Sequence, residues 1–71
     1  MPTKAGLEKM GKKIKEAREK SGLTQADVAK KVGIDTNYYA TIERGEKYPS
    51  LKRLERIVAV LGLKASEIIP F

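Results

Sequence analysis

Apolar side chains recur along this chain at steps of three and four, and each run stops at a glycine. Leu7, Met10, Ile14 and Ala17, continued by Ser21, form the first stripe. At about 100° per residue such a spacing collects on one face of a helix. It predicts a helix from near Leu7 to Lys20, with 1–6 as a flexible N-terminal arm and 7–71 as one domain. Gly11 lowers the helix propensity of this segment. Lys12–Glu16, Lys15–Glu19 and Glu16–Lys20 are spaced to support its exposed side. Gly22, Gly33, Gly45 and Gly62 each follow a periodic segment, where a left-handed residue ends a helix.

Two short helices with strong start signals come next. Thr24 suits an N-cap and Asp27 can return a hydrogen bond to it, an Asp form of the capping box. Leu23 and Val28 have the spacing of a hydrophobic staple, and so do Ile34 and Tyr39 around the N-cap Asp35. Two stapled starts separated only by the Gly33 turn fix the angle between the helices, which is the layout of a helix-turn-helix. Pro49-Ser50 then opens a fourth helix with the stripe Leu51, Leu54, Ile57, Val58 and Leu61. Leu63 and a short turn near Ala65–Ile69 close the domain, and Pro70 stops it. The expected fold is all-α, a compact five-helix domain without strands.

The third helix has two unlike sides. Tyr38, Tyr39 and Ile42 share the apolar one, while Thr36, Asn37, Ala40, Thr41 and Arg44 fall within an opposite arc of about 140°. A merely solvated face more often carries long charged chains. Small residues plus one amide let a backbone approach another surface closely. Asn37 can bond bidentately to adenine, and Thr36 and Thr41 can exchange hydrogen bonds or touch a thymine methyl. The bland alternative is that Thr36 and Asn37 are only good first-turn residues. Phosphate-seeking groups bracket this helix: Gln25 at the start of the second, Arg44, Lys47 and Tyr48 after the third, and Ser50 and Lys52 at the start of the fourth. Tyr38 and Tyr39 read as packing residues rather than as a stacking platform for single strands.

Composition narrows the chemistry. Fifteen Lys and Arg against nine Asp and Glu leave a net charge of +6, which favours an anionic partner. With no cysteine and no histidine, disulfides, thiolate or imidazole metal sites and a Ser-His or Cys-His centre are excluded. No carboxylate cluster suggests an enzyme, and no cofactor or metal is expected. No apolar run approaches the roughly 20 residues of a membrane span, so no membrane partner is expected and a cytoplasmic location is the default.

The segments Leu23–Ala29, Val32-Gly33, Ile42–Gly45, Pro49–Leu51 and Leu61–Leu63 together resemble the phage repressor and Cro-type helix-turn-helix proteins, the XRE family, over roughly Leu7 to Ile69. The resemblance implies a lambda repressor-like fold that uses helices two and three on double-stranded DNA, commonly as a homodimer on a palindromic operator. It implies a phosphate-binding role for Gln25 and base-reading roles for Thr36, Asn37 and Thr41. It also implies a buried ion pair between Arg18 and Glu43, which periodicity alone does not predict. Tyr39 stands where the family usually has an aliphatic residue, and Lys64 where it often has a Ser or Thr cap. The leading expectation is a sequence-specific transcriptional regulator of the repressor type. The alternative is an antitoxin-like interaction module that captures a protein partner through the apolar tail Ile68-Ile69-Pro70-Phe71, with DNA binding secondary.

Overall fold

A computed structural model of the chain describes residues 3–68. Five helices follow in order: α1 Lys4–Lys20, α2 Gln25–Val32, α3 Thr36–Glu43, α4 Leu51–Leu61 and α5 Ala65–Ile68. Four helix starts carry side-chain caps. The Thr24–Asp27 capping box is closed in both directions, at 3.0 Å and 2.9 Å. Asp35 accepts from the backbone N–H groups of Asn37 and Tyr38, and Ser50 from that of Arg53. The fourth cap was not legible from the apolar pattern. Thr3 accepts from Gly6 N–H at 2.9 Å, so α1 starts at Lys4 and residues 4–6 are helical rather than part of an arm. Periodicity located this helix by its first apolar residue, but the cap lies one turn earlier.

The first four helices also end alike. Gly22, Gly33, Gly45 and Gly62 have positive φ. The residue after each glycine (Leu23, Ile34, Glu46, Leu63) donates its N–H to the carbonyl five positions back, which satisfies carbonyls that a helix end leaves open.

The core is built from Met10 and Ile14 of α1, Val28, Ala29 and Val32 of α2, and Tyr39 and Ile42 of α3. It is completed by Leu54, Ile57, Val58 and Leu61 of α4 and by Ile68 of α5. Leu23, Ile34 and Tyr38 pack against its edge, as expected for staple and border positions. α3 packs on α1 and α2, while α4 closes the other side against α2 and α1. Among the described residues this leaves one long side of α3 without a helix over it.

Three expectations from periodicity need correction. Ser21 is exposed, and its hydroxyl donates to the Ala17 carbonyl instead of joining the buried stripe. Leu51 is 68% exposed because the first turn of α4 runs out beyond the core. None of the expected Lys–Glu pairs on α1 closes to ion-pair distance; among the described residues only Arg18–Glu43 and Arg44–Glu46 do. Long side chains on a solvated face gain too little from pairing to hold one geometry. Among the described residues no helix is long and apolar enough to cross a membrane.

Candidate nucleic-acid interface

One buried carboxylate fixes α3 in place. Glu43, in the last turn of α3, accepts from Arg18 of α1 through Nε at 2.7 Å and Nη2 at 3.1 Å. It also accepts from the Gln25 amide of α2 at 3.0 Å. Arg18 uses its remaining arm on the Leu23 carbonyl at 3.0 Å. The Arg18–Glu43 pair thus ties α1, α2 and the α1–α2 turn to the C-terminal end of α3. Burial by itself would push the Glu43 carboxyl up, but the hydrogen bonds from Arg18 and Gln25 outweigh it and hold the group below the ordinary carboxylate range. The Arg18 guanidinium is correspondingly raised by its bond to Glu43.

Tyr39 completes this corner. Its ring is fully buried, and its hydroxyl ends beside the pair without completing a hydrogen bond among the described residues. Burial, reinforced by the Glu43 charge, pushes its phenol far above the ordinary value, so it stays neutral. Larger than an aliphatic residue, Tyr39 fills the space between the ion pair and the apolar core.

A second contact sets the depth at which α3 lies. Gly11 is buried in the middle of α1, directly against the end of α3. A Cβ built on it would stand 2.6 Å from the Ile42 carbonyl oxygen and closer still to that of Glu43. At Gly45 a Cβ would meet the Glu8 backbone of α1 at 2.6 Å. Two glycines on facing surfaces therefore let the two backbones touch.

The proposed base readers occupy the uncovered side. Thr36 and Asn37 are exposed in the first turn of α3, and their side chains make no hydrogen bond among the described residues. Thr41 lies one turn further on and is half-buried. Its hydroxyl donates to the Tyr38 carbonyl at 2.6 Å, which leaves its methyl and an acceptor lone pair for a partner.

The proposed phosphate contacts fall at the C-terminal end of α3, in the loop after it and at the start of α4. Gln25 and Arg44 lie at the Glu43 end, with Lys47 and Tyr48 exposed in the following loop. Gln25 already donates one amide hydrogen to Glu43, so only the second, together with the backbone N–H groups of the α2 N-terminus, is open to a phosphate. Ser50 and Lys52 lie at the start of α4. Ser50 is itself the N-cap, and Lys52 is exposed. Arg53, one residue further, lies 5.4 Å over the Tyr38 ring beside the first turn of α3. Sequence reasoning missed Arg53, although its place after a capped start would have put it in the same cationic turn as Lys52. It also missed Glu46, whose carboxylate takes both Nε and Nη2 of Arg44, at 2.9 Å and 3.2 Å. Residues 69–71 of the apolar tail lie outside the described residues; Ile68 is buried and packs into the core.

The sequence pattern of the helix-turn-helix family matches residues 14–68. The chain is 41% identical over 61 residues to the control protein C.MunI of a Mycoplasma species, covering 84% of this chain and 82% of that protein. It is 38% identical over 60 residues to the immunity repressor protein of Bacillus phage phi105, covering 84% of this chain but 42% of that protein. Its fold superposes with a TM-score of 0.84 on the crystal structure of the restriction-modification controller protein C.AhdI from Aeromonas hydrophila, at 31% identity, covering 90% of this chain and 97% of that one. The matched proteins are regulators, not enzymes.

Proposed function

The chain belongs to the helix-turn-helix family of DNA-binding transcriptional regulators, and we propose that within it this protein is a repressor that reads a palindromic operator as a homodimer. In this reading α3 enters the major groove with its first turn foremost. Asn37 pairs with an adenine edge, Thr36 donates to or accepts from a neighbouring base, and Thr41 presents its methyl to a thymine. Gln25, Arg44, Lys47, Tyr48, Ser50 and Lys52 seat the domain on the phosphates of the two strands and set the register. The observation that carries the reading is the uncovered side of α3, with free Thr36 and Asn37, on a helix whose other side is locked to α1 and α2 through Glu43. A rigid mount suits direct readout, because bidentate base contacts tolerate little displacement. Similarity to an immunity repressor supports repression as the sign of the regulation.

Selection of bound duplexes from a random pool tests this directly. The expected product is an inverted repeat whose half-sites are about one helical turn apart. Enrichment of single, unpaired sites would exclude dimeric reading, and no enrichment would exclude sequence-specific reading. On the selected operator, Asn37→Ala should remove preference at one base pair per half-site, by about 1–3 kcal/mol. A uniform loss across all sequences would move Asn37 from the readers to the phosphate contacts.

A further inference from the structure

Arg44 is the cation closest in sequence to the reading helix, yet its charge is matched inside the chain. Its guanidinium makes a fork-to-fork pair with Glu46, two residues on, through Nε at 2.9 Å and Nη2 at 3.2 Å. Surface pairs of this kind are ordinarily loose, but both partners here stand on a fixed turn. The Arg44 N–H bonds the Ala40 carbonyl and the Glu46 N–H bonds the Thr41 carbonyl at 2.9 Å. Between them Gly45 has φ +76° and lies against the Glu8 backbone of α1. The turn that ends the reading helix therefore places a carboxylate against the arginine. Neither side chain has another hydrogen-bond partner among the described residues, and each is more than half exposed.

We propose that Glu46 is an intramolecular competitor for DNA phosphate, placed by the Gly45 turn to damp the sequence-independent attraction of Arg44 for the duplex. The proposal rests on the reading of Arg44 as a phosphate contact. A phosphate that approaches Arg44 must displace the carboxylate or settle on Nη1 beside its negative charge. Either route weakens binding at this one point and leaves Thr36, Asn37 and Thr41 untouched. Glu46 is an exposed carboxylate, and its bond to Arg44 holds it below the ordinary carboxyl range. In a chain of net charge +6 such damping limits how tightly every duplex is held and leaves discrimination to the base contacts.

The test uses a mixed random-sequence duplex as probe, titrated against the full chain at several salt concentrations. Glu46→Gln should bind this duplex about three- to tenfold more tightly at low salt, with a log–log salt slope steeper by about 0.9. The gain should vanish in an Arg44→Gln background, and Glu55→Gln, an exposed charge change on α4, should not reproduce it. Unchanged or weaker binding by Glu46→Gln overturns the proposal, as does a gain that survives Arg44→Gln or is matched by Glu55→Gln. If Arg44→Gln alone leaves affinity and slope unchanged, the phosphate role of Arg44 itself fails. If the unmodified chain binds no duplex, the DNA-binding reading fails. Equal thermal unfolding of Glu46→Gln and the parent confirms that the comparison is between folded proteins.

Discussion

Gly11→Ala is expected to destabilise the domain by roughly 2–3 kcal/mol, although in an isolated helix the same change would stabilise by about 1 kcal/mol. The sign is decided by the neighbour. The new methyl would be driven into the carbonyl oxygens of Ile42 and Glu43, backbone atoms that cannot rotate away. Relief requires α1 and α3 to separate, which also pulls Arg18 from Glu43. In a domain of this size the expected fall in melting temperature is about 10–20 °C. Thermal unfolding followed by circular dichroism measures it, and a melting temperature at or above that of the parent would show that the two backbones do not touch. DNA affinity should fall by more than the unfolded fraction explains, because the displaced end of α3 carries Arg44 and adjoins Gln25.

Glu43→Ala is the second large effect, with an expected loss of about 3 kcal/mol. Arg18 is left with a charge on a side chain that is only 12% exposed. Gln25 loses its acceptor at the same time. Because the cost lies in the stranded charge and not in a missing attraction, Arg18→Met combined with Glu43→Leu should recover most of it. Urea unfolding of the two single variants and the double variant separates the terms; a double variant as unstable as Glu43→Ala would rule out stranding as the cause.

The same carboxylate gives a pH signature. Its folded pKa lies below the ordinary carboxyl value of the unfolded chain. Its contribution is therefore complete above that value and disappears as the pH falls through the lower, folded one. Acid unfolding of the Arg18→Met, Glu43→Leu variant should be shallower over this window than that of the parent.

Both large effects concern contacts between residues far apart in the chain: Gly11 with Ile42 and Glu43, and Arg18 with Glu43 across 25 positions. Neither pairing leaves a periodic trace. Gly11 reads along the chain only as a weak helix residue, and Arg18 only as a polar neighbour of an apolar stripe. The pairing of Arg18 with Glu43 was accessible through family resemblance, whereas the third partner, Gln25, was not. Leu51 shows the converse, since its spacing fits the stripe of α4 but among the described residues nothing covers it.

What the sequence determined by itself is what short-range chemistry controls. Capping hydrogen bonds span two or three residues, staple contacts about five, and left-handed glycines terminate helices wherever the fold places them. The starts of α2, α3 and α4 and the ends of the first four helices therefore followed from residue order. So did the two-sided character of α3, because a helix fixes which of its own residues share a face. Only the tertiary structure decided how deeply α3 sits against α1, which carboxylate holds it there, and that Glu46 occupies Arg44. The depth depends on the close approach of two backbones. The charges of Glu43 and Arg44 acquire their roles only once burial and turn geometry bring specific partners within hydrogen-bond reach.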